Sequence, residues 1–429
     1  MQTSAVALVA AVAAVASAPN AANAYDGNSW LQFGPTGQTN PFAPSPFGGS
    51  TSGNTYDRSF IRQWEANPPR GFPTLSPANI EATKDAIKRY EKIVKEGGWK
   101  QLSDKELQPA VTHPAVVQLR ERLTISGHSR TGSYYSPSYY DSDLETAVKR
   151  FQASNGLTPT GIVDKRTISA LNVPAVARLK QLKLGLNRLR QHVSKRDRYV
   201  VVNIPAAHIE AVEKDRVVER YAGVVGKPER KTPLLSSTIH EMNFNPVWRL
   251  PPTVVSQDLI PKGRQMQKAG KDVLQKYGIE AYDGSGRKLK TEKVNWQSNM
   301  PWTLSYRQQP GKDNPLGFLK INFHNEYSVY MHDTPSESLF GRNFRAASSG
   351  CIRVQNIEHL ATWLLKGQDM GRSDIEMLKK SGERRDVRLK KPVPLYFVYI
   401  TAWATEDGVV QFRRDLYQKD GVGTTAVAY

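Results

Sequence analysis

At Tyr199 the hydrophobic periodicity of the chain changes, and that change limits the fold more than any other feature. Upstream, apolar residues recur at helical spacing. Ile80, Ile87, Tyr90 and Val94 make one stripe, and Val116, Leu119 and Leu123 a second. Leu144, Val148 and Phe151 make a third, Ile168 and Leu171 a fourth. Val176, Leu179, Leu182, Leu186, Leu189 and Val193 line a longer helix whose Lys and Arg residues are expected on a solvated face. Pro114 suits a first turn, and Asp143, Asp164 and Asn356 are expected N-caps. Ser373 to Glu376 reads as a capping box. From Tyr199 onward the signal is β. Residues 199–204 (YVVVNI) and 216–226 (RVVERYAGVVG) read as strands, as do 319–323, 327–332, 394–403 and 408–412. Helices followed by strands predict an α+β multidomain chain with a mostly-β second half.

Breaks in composition divide it further. Residues 5–17 (AVALVAAVAAVAS) are a short apolar run ending near Ala22-Asn23-Ala24, an A-x-A cleavage pattern. Residues 1–24 are therefore expected to be a signal peptide and the protein to be exported, although no Lys or Arg occurs before Arg58. No later run approaches membrane-spanning length, so the mature chain is expected to have no transmembrane segment. Residues 25–75, rich in Gly, Pro, Ser and Thr, read as a disordered tether. Residues 76–111 are expected to be a helical scaffold, 112–173 a small helical module and 174–196 a connecting helix. The mostly-β domain follows over 197–356, with a lid-like insertion at 262–315, helical over 262–278 and loop beyond. Residues 357–429 are expected to complete the scaffold.

The net charge of +19 fits nucleic acid, an anionic membrane or a carboxylate-rich wall polymer. No RNA-binding motif or DNA-reading helix supports nucleic acid, and export disfavours it. No H-E-x-x-H or close His/Cys cluster suggests a metal, and no cofactor is expected.

Cys351, the single cysteine, lies in SSGCIRV. It cannot form an internal disulfide, so it is either an inert buried thiol or a reactive one. A cysteine nucleophile needs a base, oxyanion donors and room for substrate. His332, nineteen residues upstream at the end of YSVYMH, is the candidate base; His324 is a competitor. Gly350 permits unusual dihedrals and close approach. The N–H groups of Gly350, Cys351 and Ile352 could line an oxyanion hole. Arg353 supplies positive charge to the thiol or to a substrate carboxylate. A papain-like protease is disfavoured, because its local cysteine signature is absent.

These residues resemble a known family. The segment YMHDTPSESLFGRNFRAASSGCIRV resembles the active-site signature of L,D-transpeptidases: a His, a spacer, then a Ser/Thr-x-Gly-Cys block and Arg. The likeness covers most of 197–356. LETAVKRFQASNGLTPTGIVDKRTISALN resembles the three-helix peptidoglycan-binding module of cell-wall enzymes. The combination is similar to the large Gram-negative type. Many members carry a His before the Gly, where this chain has Ser349; the large type shares SSGC.

The resemblance implies a periplasmic enzyme. Cys351 would attack the third-residue carbonyl of a donor tetrapeptide stem and release D-Ala. An amine of an acceptor stem would then resolve the thioester into a 3→3 cross-link. Tyr330 is expected to orient His332. Asn314 and Gly317 would shape the approach or form an ordinary turn, and Trp248 reads more readily as core than as a substrate platform. Carbapenem-type β-lactams would acylate Cys351. The same site could instead serve an L,D-carboxypeptidase or endopeptidase, or a lipoprotein-anchoring transferase. A wall-binding protein without catalysis is the alternative from another class.

Overall fold

The structure, a computed structural model, describes residues 70–129, 136–193 and 196–422. The expected signal peptide, most of the expected tether and part of the Ser/Tyr-rich loop before residue 142 lie outside these. Among the described residues no helix is long and apolar enough to cross a membrane.

The first part is helical: α1 (Ala78–Lys95), α2 (Ala115–Ile125), α3 (Ser142–Ser154), α4 (Lys165–Leu171) and α5 (Ala175–His192). The stripes of α2, α3 and α4 meet in one core of Val116, Leu119, Leu123, Leu144, Val148, Phe151, Ile168 and Leu171. Asp164 caps α4 by accepting the Thr167 N–H. Asp141, not Asp143, caps α3, because the helix starts one turn position earlier than its apolar stripe suggests. Helix α5 departs from its expected face. Leu182, Leu186 and Leu189 are buried, yet Val176 is 62% exposed and Arg178 only 1%. The Arg178 guanidinium is buried because acceptors await it: Asn155 Oδ1, the Ala170 carbonyl and Gln181 Oε1.

The second part holds β1 (Arg198–Asn203), β2 (His208–Glu213), β3 (Arg216–Gly226), β4 (Leu235–Phe244), β5 (Trp248–Arg249), β6 (Ile279–Tyr282) and β7 (Ser305–Gln308). These are followed by β8 (Leu319–Phe323), β9 (Met331–His332), β10 (Ala346–Ser348), β11 (Ile352–Val354), β12 (Arg385–Val398), β13 (Ala402–Ala404) and β14 (Val410–Phe412). Nine strands run in the order β10-β3-β11-β9-β8-β4-β12-β1-β2, and β2 pairs back onto β3, so the sheet closes on itself. Strand β1 shows why its sequence is an unbroken apolar run. Val200 and Val202 face one core, while Tyr199 and Val201 face another formed with Leu189, Val398 and Leu75.

Two expected boundaries move. The sheet does not end at residue 356: β12 lies between β4 and β1, parallel to β1 with Val200 opposite Leu395. Helices α8 (Ile357–Leu364) and α9 (Arg372–Ser381) pack Ile357, Leu360, Leu364, Ile375 and Leu378 into the same core. (Helices α6, Ile260–Lys268, and α7, Val273–Tyr277, belong to the insertion.) Asn356 precedes α8 in a left-handed conformation with no side-chain cap, and α9 starts at Arg372, where Asp374 accepts the Gly371 N–H. At the other end the expected tether is anchored from residue 72. Thr74 donates its N–H and hydroxyl to the Glu210 carboxylate (2.9 and 2.7 Å), and Arg220 bridges Glu210 to the Phe72 carbonyl.

The insertion is a small folded unit. Strands β5, β7 and β6 form a separate sheet, and Leu250, Ile260, Val273, Leu274, Ile279, Ala281, Trp296 and Tyr306 form its own core. The loop expected after residue 278 thus contains β6 and β7, four residues each, too short for an alternating pattern to stand out.

Helix α5 carries the sheet on a glycine. A Cβ at Gly185 would lie 1.8 Å from the Ala402 carbonyl oxygen. Gly185→Ala should therefore separate α5 from β13 and lower the denaturant midpoint by about 1–3 kcal/mol in unfolding free energy, the usual scale of overpacking. An unchanged midpoint would show that the helix and hairpin are not pressed together.

Candidate active site

The strand register brings the candidate residues together. Strand β11 runs parallel to β9, with Ile352 opposite Met331 and Arg353 opposite His332. Cys351, one residue before β11, lies beside Tyr330. The Tyr330 backbone N–H and hydroxyl both favour a negative charge on the Cys351 sulfur. Strand β9 is shorter than the expected 327–332. Ser328 is left-handed (φ 55°), and Asn325 Oδ1 accepts the N–H groups of Tyr327 and Val329, so the chain turns before it pairs. The period-of-two relation still holds where it matters: the Tyr330 and His332 rings lie 5.6 Å apart, edge to face.

His332 is buried. Its Nδ1–H donates to the Asp333 carbonyl at 2.5 Å, and the Pro315 carbonyl also faces the ring. Burial, reinforced by the Arg353 charge, lowers its pKa to about 3, so the ring is neutral at any ordinary pH. Neutral imidazole is the form that accepts a proton, and the Nδ1–H bond leaves Nε2 to accept it, but the lowered pKa also makes the ring a weaker base than an ordinary histidine. No hydrogen bond joins His332 to Cys351 among the described residues. The two sit on neighbouring strands with Tyr330 between them. His324 is engaged elsewhere, stacked on His240 at 4.1 Å.

The Cys351 thiol is half-buried. Burial raises its pKa above the ordinary thiol value; the two Tyr330 donors, then Lys320 and Arg353, pull the other way. Lys320 pairs with His332 across β8 and β9, and its Nζ lies 4.5 Å from the Tyr330 ring centroid. Arg353 donates to Thr334 Oγ1 at 3.3 Å, while its buried Nε has no hydrogen-bond partner among the described residues.

The expected row of three oxyanion donors reduces to one. The Gly350 N–H donates to Ser348 Oγ (3.1 Å) and the Ile352 N–H to the Tyr330 carbonyl (3.0 Å). Only the Cys351 N–H lacks an acceptor among the described residues. Gly350 itself is required by its φ of 118°. Its carbonyl accepts from Thr232 Oγ1, and Ser348 Oγ donates to the Cys351 carbonyl, which together hold the turn. Ser349 Oγ accepts from Arg230 Nη1 at 2.9 Å.

Asn314 proves to be a brace. It is buried, donates to the carbonyls of Pro246 and Gln309, and accepts the Leu316 N–H. It thereby holds Pro315 against His332. Gly317 is left-handed (φ 60°), and a Cβ there would come within 2.2 Å of Asp333 Oδ2. Trp248 packs against the insertion core, as a core residue would, and its side chain also acts on the Tyr330 hydroxyl, opposing the burial that raises that group's pKa. Sequence reasoning missed Lys320, Thr232, Thr334, Ser348 and Arg230. The one local signal was for Lys320, on the strand paired with His332.

Comparison with known proteins now bears on this geometry. Residues 197–375 match the family described as L,D-transpeptidase catalytic domain, and residues 112–171 match "Putative peptidoglycan binding domain". Residues 197–375 belong to the L,D-transpeptidase catalytic-domain family. A Haemophilus influenzae protein named "Putative L,D-transpeptidase" is 31% identical over 224 residues, which is 52% of this chain and 44% of that protein. The chain thus matches less than half the length of that curated relative. Similar solved structures include an L,D-transpeptidase from Xylanimonas cellulosilytica (14% identity, 70% of this chain and 100% of that one, TM-score 0.21). Another is an L,D-transpeptidase in complex with imipenem (14% identity, 47% and 59%, TM-score 0.22). Overlays this loose carry no weight for geometry. The L,D-transpeptidase domain is preceded by the helical module, as the α+β reading requires.

The pKa directions make a prediction. With His332 already neutral and the thiol raised, alkylation of Cys351 by iodoacetamide should climb steadily from pH 6 to 9, with no inflection near the ordinary histidine value. Tyr330→Phe removes a donor to the sulfur and should slow alkylation at neutral pH by about tenfold, the scale of one hydrogen bond to a charged group. A plateau reached by pH 7 would contradict the raised thiol.

Proposed function

We propose that the chain is a peptidoglycan L,D-transpeptidase working through a thioester on Cys351. The observation that carries this reading is the strand pairing that sets Cys351 against Tyr330, with a buried neutral His332 one strand away. Cys351 sulfur attacks the carbonyl of the third residue of a donor tetrapeptide stem, and His332 Nε2 takes the thiol proton. The developing oxyanion is met by the Cys351 N–H and the Tyr330 hydroxyl. The carbon–nitrogen bond to the terminal D-Ala breaks, and the proton on His332 goes to the departing amine. A side-chain amine of a neighbouring stem then attacks the thioester. His332 takes a proton from that amine and returns it to the sulfur as the 3→3 amide forms. In the resting site Tyr330, Lys320 and Arg353 offset part of the cost of a buried thiolate.

The helical module at 112–171 would hold the glycan, and a chain of net charge +19 suits a carboxylate-rich polymer. In this reading the activity is periplasmic, an expectation supported by the apolar run at 5–17 and the A-x-A pattern.

Incubation with purified disaccharide-tetrapeptide tests the proposal. A cross-linked dimer with release of D-Ala is expected, and Cys351→Ala should abolish it. Tripeptide without dimer would indicate a hydrolase, and no turnover a binding protein. As for an acylating thiol of the matched family, a carbapenem should add its mass to Cys351. An intact protein without adduct by mass spectrometry would argue against an acylating thiol.

A further inference from the structure

The loop between β3 and β4 brings a further cation, Arg230, to the nucleophile's turn, in addition to Lys320 and Arg353. Its backbone borders Gly350: a Cβ on that glycine would lie 3.7 Å from the Lys231 carbonyl oxygen and 3.9 Å from that of Arg230. The Arg230 guanidinium donates to Ser349 Oγ at 2.9 Å, two residues from Cys351. The same guanidinium grips a carboxylate at two points. Nη1 meets Asp258 Oδ2 at 2.6 Å and Nη2 meets Oδ1 at 2.9 Å. This parallel fork is the geometry by which arginine recognises planar carboxylates.

The two partners differ in how firmly they are placed. The Arg230 side chain is 13% exposed and tied to the cysteine turn, whereas that of Asp258 is 48% exposed. Asp258 belongs to a π-helical segment, Val255–Leu259, in the insertion with its separate core. The fork favours the pair, but the Asp258 side is open to water and salt, which screen it and leave it exchangeable. A carboxylate arriving with substrate can displace Asp258 without disturbing either core.

We propose that Arg230 is a specificity residue that binds a free carboxylate of the donor peptide beside Cys351, and that Asp258 occupies this seat until the donor arrives. This inference rests on the transpeptidase reading for the identity of the peptide. The carboxylate is either that of the C-terminal residue or the one on the diamino-acid side chain. In both cases an anion replaces an anion, and no bond is made or broken. Asp258 then acts as a competitor built into the insertion, setting the affinity for donor.

Kinetics with three donors test it: the free tetrapeptide, one amidated at its C-terminus, and one amidated on the diamino-acid side chain. Arg230→Gln should raise KM for the free donor by about tenfold, the scale of a lost charged bond at a part-exposed site, with most of the loss in KM. The loss should vanish for whichever amidated donor lacks the recognised carboxylate. Asp258→Asn should lower KM for the free donor. Equal losses on all three donors, or a higher KM in Asp258→Asn, would overturn the proposal.

A second measurement does not depend on turnover. The ratio of Cys351 alkylation rates with iodoacetate and iodoacetamide reports an anion seat at the thiol. Asp258→Asn should raise that ratio several-fold and Arg230→Gln should lower it. A ratio unmoved by Asp258→Asn sinks the proposal even if muropeptides are cross-linked. A ratio that shifts as expected in a protein that turns over no muropeptide upholds the seat and rejects the transpeptidase reading.

Discussion

The parallel pairing of β9 with β11 is the constraint on which the site depends. Each strand is short, and neither could hold a register alone. The register is fixed from outside, by β8 on one flank and β3 on the other, both long enough to be buried and specific. Because strand side chains alternate, a slip of one residue would exchange faces. Met331 would leave the core and His332 would enter it. With the observed register, Met331, Ile352 and Val354 fill the interior, while Tyr330, His332 and Arg353 gather around the sulfur. Packing energy in the core therefore positions groups that do not contribute to it.

Burial at this site works in two directions. It lowers the His332 pKa to about 3 and raises that of the thiol, so both partners rest uncharged. In the proposed reaction, proton transfer between them would create an ion pair from neutral groups. Surroundings that stabilise the thiolate then decide how readily it forms. Tyr330 acts on the sulfur through its backbone N–H and its hydroxyl, and Lys320 and Arg353 add positive charge, with Glu241 and Asp386 also acting on Lys320. Lys320 is itself pulled down by burial, with the sulfur's charge acting to restore it. The site is thus poised by mutual electrostatic dependence, and an isolated surface cysteine would have none of it.

Where one short segment held the whole signal, the sequence was legible. The helical stripes converged on one core, β1, β3 and β8 appeared where apolar runs predicted them, and Cys351, His332 and Tyr330 stood out together. Hydrogen-bond partners were not legible. Gly350 and Ile352 looked like oxyanion donors until Ser348 Oγ and the Tyr330 carbonyl were seen to accept from them. Arg230 is 119 residues from Ser349, and no periodicity signals such a contact. The second half of β12 reads as a strand, but its polar, exposed first half gives no sign that it belongs to the sheet of 197–356, where that apolar second half fills a slot in the middle. Position in a sheet order is set by tertiary pairing, and a strand's own composition does not encode it.

In the proposed reaction, an insertion with its own core would let substrate selection change without disturbing the Cys351 turn. A loop of its length would carry unsatisfied backbone groups over the site; with its own sheet and core it satisfies them internally. It then meets the catalytic elements through polar side chains, Trp248 with Tyr330 and Asp258 with Arg230. Polar contacts at a half-exposed boundary can be remade at small energetic cost, whereas the apolar register beneath them cannot. On the proposed function, chemistry falls to the rigid sheet and recognition to the cover. Side chains that bridge the two, Arg230 above all, are where a change in substrate would be felt first.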